Sequence, residues 1–301
     1  MYILPMTTTI LLRLSMKEKA GKSRLLREVH SFLSGIQEKS RFTMSPNSNN
    51  VLSDSQEGRG DKPYTVLVEG NIGSGKTSFL NYFSQFKDVE TLAEPVDKWR
   101  NFKGFNLLEL MYQDPHKYSL MFQSYVQLTM LDHHVKPSSA KVKIIERSLY
   151  SARYCFVENL RQKGYMDGAE HAVISEWYDW IFDKLDLTVD LIIYLRTSPV
   201  IASARIQRRS RNEENKIPLE YLQGVHNLHE EWLIKKKCPV PAKVLELDAN
   251  QDPEALLKDI KKCQDQIIPG ISKQMKKTNS LNYTSDCIFS IAEKAAIVSQ
   301  V

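Results

Sequence analysis

The stretch 64–83, YTVLVEGNIGSGKTSFLNYF, decides the fold. It opens as an apolar run of strand length, turns through three glycines, and continues with helical spacing. Gly70-Asn71-Ile72-Gly73-Ser74-Gly75-Lys76-Thr77 matches GxxxxGK[ST], with the strand before it and the helix after it that the motif requires. Glycines let the backbone turn so that its N–H groups converge on an anion, and the positive end of the following helix adds to that field. Lys76 is expected to reach the β- and γ-phosphates of a nucleotide, and Thr77 to place its hydroxyl on Mg2+. The alternative is a plain glycine turn before a helix, which the agreement of pattern and context disfavours.

Short apolar runs recur downstream at 89–93, 142–146, 190–195 and 243–247, separated by longer amphipathic segments. Strands that alternate with helices predict an α/β fold, a five-stranded parallel sheet with helices on both faces. The expected core is 63–270. Before it, residues 1–62 form a basic and then polar extension; after it, residues 271–301 have no assigned role. Within 1–45, eight Lys or Arg stand against three Glu, so this segment accounts for the formal net charge of +5. The remainder is near neutral, which gives no support for a general nucleic-acid surface. The basic extension reads either as a mitochondrial targeting segment or as an untargeted tail; its glutamates argue against targeting, since transit peptides are poor in acids. Met16 and Met44 are alternative starts. No apolar run is long enough to span a membrane. Cys155, Cys238, Cys263 and Cys287 form no CxxC pair and read as reduced thiols of an intracellular protein, mitochondrial or cytoplasmic.

A phosphate loop does not name a reaction. The NKxD and DxxG segments of GTPases are not found in suitable places. The second strand ends in Ala93-Glu94-Pro95-Val96-Asp97-Lys98-Trp99, and ligands of parallel sheets sit at the carboxyl ends of strands. Glu94 is thus aimed at the phosphate crevice, where a carboxylate suits a hydroxyl acceptor and would repel one already phosphorylated. Its bland reading is a helix cap. The third strand ends in Glu146-Arg147-Ser148: Glu146 lies near Thr77 and can hold Mg2+, and Arg147 can steady Glu94 and the acceptor oxygen. A buried structural Glu–Arg pair is the bland reading here, and the two are compatible. Arg205 and Arg209 share one helical face and Arg211 follows, so they can close as a lid over transferring phosphoryl oxygens. Phe122, Gln123, Val126 and Met130 follow helical spacing; Gln123 can read a base edge, with Trp99 and Phe156 as apolar faces, although such a stripe is usually core.

Taken together, GNIGSGKT, AEPVDKW, FQSYVQLTML, IERSLYSARYCFVENL, SEWYDWI, DLIIYLRTSP, RRSRNEE and IPLEYLQGVHNLHEEWLIK resemble the deoxyribonucleoside kinase family. The branch they resemble holds mitochondrial thymidine kinases and the broad-specificity insect deoxynucleoside kinase. The resemblance spans about 63–250. It implies the P-loop kinase fold with an arginine-bearing lid, and transfer of the γ-phosphate of ATP to the 5′-hydroxyl of thymidine and deoxycytidine, with weaker use of purines. By the same resemblance Glu94 is the general base, Arg147 contacts the 5′-hydroxyl region and Glu146 serves Mg2+. Gln123 pairs with the base, Phe156 stacks on it with Trp99 nearby, and Tyr112 and Glu214 hold the sugar 3′-hydroxyl. Asp248-Ala249-Asn250 meets the adenine of ATP. Met130 and Ala152 stand where the deoxycytidine kinase branch resembles Arg and Asp, which leaves room for a 5-methyl group. A homodimer and feedback inhibition by dTTP are implied by resemblance alone. Two other readings stay open on the sequence: a thymidylate-like nucleoside-monophosphate kinase, and an ATP-binding switch protein without catalysis.

Overall fold

The computed structural model describes residues 62–209 and 217–271. All of them belong to the larger of two compact units, 59–301; the basic extension lies outside the described residues, as do Arg211, Glu214 and the tail from 272.

Five parallel strands form one sheet in the order β2-β3-β1-β4-β5. They are β1 (Tyr64–Glu69), β2 (Val89–Leu92), β3 (Val142–Glu146), β4 (Leu191–Arg196) and β5 (Lys243–Asp248). The register sets Val68 against Glu146 on one side and Ile193 on the other. Alternation along each strand divides the apolar side chains between two faces. Leu67, Ile145 and Ile192 enter one core cluster with Met130, Tyr178 and Trp232. Val66, Val68, Ile144 and Ile193 enter the other with Phe79, Phe83 and Ile260. Burial on both faces is why these strands read as continuous apolar runs.

The helices in chain order are α1 (Lys76–Phe83), α2 (Val96–Arg100), α3 (Leu107–Gln113), α4 (Pro115–Val135) and α5 (Leu149–Ser151). They continue with α6 (Glu158–Gln162), α7 (Gly168–Lys184), α8 (Pro199–Arg209), α9 (Leu219–His229), α10 (Pro253–Lys262) and α11 (Gln264–Ile267). Their starts are chemically marked. Asp114 accepts from the Lys117 N–H with Pro115 at the first turn of α4, and Asp167 and Glu170 form a reciprocal capping box on α7. Between α5 and α6 the chain winds as a π-helix over Ala152–Val157, and another follows α9 over Glu230–Ile234. Such widened turns re-aim side chains and occur often at functional sites.

β1 is central. The chain winds from it to β2 and β3 on one side and then crosses to β4 and β5 on the other, so a crevice opens at the carboxyl end of β1. No helix among the described residues is long and apolar enough to cross a membrane.

Candidate active site

The loop from Gly70 to Gly75 fills that crevice. Gly70, Gly73 and Gly75 all take positive φ, at 143°, 77° and 96°. At Gly73 a close approach adds to the need: a Cβ there would lie 2.7 Å from the Ala202 carbonyl oxygen of α8. Asn71 ties the loop to α9, its Nδ2 donating to the Leu222 carbonyl at 2.9 Å. The loop is therefore seated against both helices that flank the 210–216 segment.

Lys76 is buried, and its ammonium donates to the carbonyls of Asn71 (2.8 Å) and Gly70 (3.4 Å). Burial, then the neighbouring Arg147, pushes its pKa down to about 7 against the pull of Glu146, Glu94 and Glu69. Thr77 Oγ1 donates toward the Glu146 carboxylate, 3.1 and 3.3 Å from its two oxygens. A hydroxyl and a carboxylate at that separation fit a cation that takes its remaining ligands from phosphate and water. Among the described residues no group of three or more His, Cys, Asp or Glu forms a self-sufficient metal cage.

Glu94, two residues past β2, meets Arg147, one residue past β3. The Arg147 Nε lies 2.9 Å from Glu94 Oε1, an ion pair whose N–H is not aligned on the oxygen. Burial raises the Glu94 carboxyl above the ordinary range, with Arg147 opposing and Glu146 reinforcing. Arg147 also donates from Nη1 to the Gly70 carbonyl at 3.0 Å, and its guanidinium lies over the Phe156 ring, 4.4 Å from the centroid. The phosphate loop, the carboxylate and the π-helical segment carrying Phe156 thus converge on one guanidinium.

Of the predicted pocket residues, Trp99, Phe122, Val126, Met130 and Ala152 share one core cluster, with Tyr112 and Phe156 packed against it. Gln123, Val126 and Met130 are buried on one face of α4, and Gln123 Oε1 has no hydrogen-bond partner. Trp99 packs edge-on to Phe122 at 5.6 Å and donates from Nε1 to Thr129 Oγ1 at 2.9 Å. Ala152 is buried at the start of the π-helix, in the same cluster as Met130. Tyr112 faces Tyr221 of α9 at 6.5 Å. Arg205 and Arg209 lie on α8. Arg205 is half-buried and donates to the Gln251 carbonyl at 3.2 Å, while Arg209 is exposed. Asp248, Ala249 and Asn250 run from the end of β5 to the start of α8, where Asn250 Oδ1 accepts from the Ser198 N–H at 2.7 Å. A groove of about 670 Å³ at the β5 edge, lined by Leu233, Lys237, Cys238 and Val244 among others, includes none of the phosphate-loop residues.

Three contributors escaped the sequence reading. Glu69 ends β1 fully buried, with Ser148 Oγ donating to it at 2.5 Å, and burial pushes its pKa up to about 7. His229 is fully buried, stacked on Tyr194 and set edge-on to Phe156. Tyr221 approaches Tyr112. The signal for Glu69 was available: like Glu94 and Glu146, it is a glutamate at the carboxyl end of a parallel strand. The other two carried none, being an ordinary histidine and tyrosine on a helix.

A family profile described as deoxynucleoside kinase matches residues 66–274. The chain is 50% identical over 209 residues to thymidine kinase 2, mitochondrial, of Homo sapiens, covering 69% of this chain and 79% of the relative. It is 36% identical over 231 residues to the deoxycytidine kinase of Mus musculus, covering 66% and 89%. With the nucleotide loop, the strand-end carboxylates and these likenesses in agreement, the chain belongs to the deoxynucleoside kinase family and is an ATP-dependent enzyme that makes 5′-monophosphates from deoxyribonucleosides.

Proposed function

We propose that thymidine and deoxycytidine are the principal acceptors and that Glu94 takes the proton of the 5′-hydroxyl as its oxygen attacks the γ-phosphorus in line. The observation that carries this is the Arg147–Glu94 pair held against the Gly70 carbonyl, on the same strand-end rim as Lys76. The pair sets a buried base beside the phosphate loop. Lys76 holds β- and γ-phosphate oxygens, whose negative charge favours the protonated ammonium. Arg205, Arg209 and Arg211 neutralise charge on the transferring group and close the site to water. Thr77 and Glu146 would hold Mg2+, which would supply positive charge against the negative charge that develops in the transfer. Gln123 pairs with the base, Phe156 offers it the ring face not taken by Arg147, and Tyr112 with Glu214 holds the 3′-hydroxyl. Asp248-Ala249-Asn250 borders the adenine. The relatives described as thymidine kinase and deoxycytidine kinase support this acceptor pair.

The test is ATP-dependent phosphorylation of thymidine, deoxycytidine, deoxyadenosine and deoxyguanosine side by side, with dTMP as control. Turnover of both pyrimidines ahead of both purines is expected. Faster use of purines than of thymidine would refute the acceptor assignment, and use of dTMP alone would remove Glu94 from its role.

We also propose a homodimer built on α4 and α7. Met121, Leu128 and Val135 repeat every seventh residue along α4 and are exposed, as are Val173, Trp177 and Trp180 on α7. Two apolar stripes on packed neighbouring helices form the kind of patch that a second copy covers. Sedimentation should give twice the chain mass, and Trp177→Glu should give one chain mass. Feedback by dTTP is part of the same proposal and rests on the family resemblance: its base would enter the acceptor pocket while its phosphates reach the loop, so it would compete with both substrates. The kinase domain is taken as 63–270, with 1–62 as a separate extension and 271–301 as a tail. The mitochondrial relatives favour a mitochondrial location over a cytoplasmic one.

A further inference from the structure

Of the three glutamates at the ends of β1, β2 and β3, Glu69 has no part in the chemistry above, yet it is the most deeply enclosed. Its Oε1 accepts from Ser148 Oγ at 2.5 Å and its Oε2 is buried without a partner. The Ser148 hydroxyl has one proton to give. Its oxygen also accepts the Ser151 N–H at 3.2 Å as the cap of α5, while its proton is donated in the hydrogen bond to Glu69 Oε1.

Between Glu146 and Ser148 stands Arg147 with φ at 62°, a left-handed conformation that a bulky residue adopts only when its surroundings impose it. The surroundings here are consecutive residues of β1 and the loop. The Arg147 N–H donates to the Val68 carbonyl at 2.9 Å, Ser148 is pinned to Glu69, and the guanidinium donates to the Gly70 carbonyl. One side of the Arg147 backbone is fixed by Val68 and the other by Glu69, and its side chain then reaches Glu94 and Phe156.

We propose that Glu69 is a positioning residue that acts through Ser148 to hold Arg147 in its left-handed conformation, and so fixes the Arg147–Glu94 pair for the acceptor hydroxyl. The proposal rests on the reading of that pair as catalytic. Glu69 touches neither substrate. It supplies the acceptor that locks the corner, and a neutral amide oxygen serves that purpose as well as a carboxylate.

The test is a set of variants read by single-turnover rate and thymidine KM. Ser148→Ala and Glu69→Ala are each expected to lower the rate about ten-fold or more with KM within about three-fold, whereas Glu69→Gln stays within about three-fold of wild type. Loss of the cap also lowers Tm in Ser148→Ala, so the deciding measurement is a cycle with Arg147→Lys. If Ser148 acts through Arg147, Ser148→Ala adds no further loss in the Arg147→Lys background. Multiplying losses, or a wild-type rate in folded Ser148→Ala, overturn the proposal. Should Ser148→Ala not fold, Glu69→Ala takes its place in the cycle. Glu94→Gln separates the two levels. If it and Arg147→Lys keep the wild-type rate, the catalytic reading fails; if both lose it while the cycle is multiplicative, only the positioning role fails.

Discussion

Arg147 and Glu94 come from the ends of different strands, and their 2.9 Å ion pair is tied to the phosphate loop through the Gly70 carbonyl. Burial raises the Glu94 carboxyl while Arg147 restrains the rise, so the side chain is a stronger base than an ordinary carboxylate. Glu94→Gln preserves the side chain's size and removes the base. Its turnover should fall by about 10²–10⁴-fold, the usual contribution of a positioned general base, while the thymidine Kd stays close to wild type. Rapid-quench turnover and an equilibrium titration of nucleoside measure the two quantities separately. A rate close to wild type would take the base away from Glu94.

The glycines of the phosphate loop are not equivalent. Gly73 and Gly75 both have positive φ, yet a Cβ at Gly75 would meet nothing within 4 Å, whereas at Gly73 it would meet the backbone of α8 at 2.7 Å. Gly75→Ala should therefore bear conformational strain alone, about 1 kcal/mol. Gly73→Ala must also push the loop off α8 and should cost about 1–3 kcal/mol more, with a weaker ATP affinity. Chemical denaturation and nucleotide titration of the two variants check the order. Equal losses would mean that the contact with α8 yields freely.

The sheet was legible because β1, β3 and β4 are buried on both faces. Runs such as VKIIE and DLIIYL stand out against amphipathic helices, and even the edge strand β5 falls where its short apolar run sits. The phosphate loop, Glu94 and Glu146 were legible because motif and strand end are both properties of order along the chain. Glu69 stood in the same kind of position, but as the last letter before the glycine motif it reads as part of the run. The left-handed Arg147 was not legible, since its conformation is imposed by β1 from the far side of a loop. Nor was the π-helix over Ala152–Val157, whose composition is that of an ordinary helix. Arg205 was legible as a cation on α8, but its bond to the Gln251 carbonyl joins two distant segments that no local pattern connects.

His229 should make the fold sensitive to acid. It is fully buried; its Nδ1 pairs with the Val225 carbonyl at 2.8 Å and its Nε2 has no partner. Burial chiefly, with Arg147, Lys76 and His226 adding, lowers its pKa to about 3, while the helix carbonyl opposes. Between that value and the ordinary 6.5 the unfolded chain binds a proton that the folded chain does not, so stability falls as pH drops through this window. The slope for one proton is at most about 1.4 kcal/mol per pH unit. Glu69 acts in the opposite sense between 4.5 and about 7, where the folded state holds the extra proton. The informative quantity is thus the difference between wild type and His229→Gln in urea midpoints from pH 7 to pH 4. The variant should show the smaller loss, and parallel curves would mean that His229 titrates as if exposed.

Base selection gives the sharpest test of the pocket. Met130 and Ala152 are both nearly inaccessible and share one cluster, and in the proposed reading they border the base. A charged pair there, Met130→Arg with Ala152→Asp, would fill the room left for a 5-methyl group and offer polar partners to an amino-substituted base. A methyl-sized clash is worth about 10–200-fold in discrimination. The double variant should therefore lose thymidine kcat/KM by at least about ten-fold relative to deoxycytidine. The single variants are expected to be worse enzymes than the double, because each buries a charge without its partner. Competition between the two nucleosides in one reaction measures the ratio directly. An unchanged ratio in an active double variant would place the base elsewhere in the crevice and release Met130 and Ala152 from any part in selection.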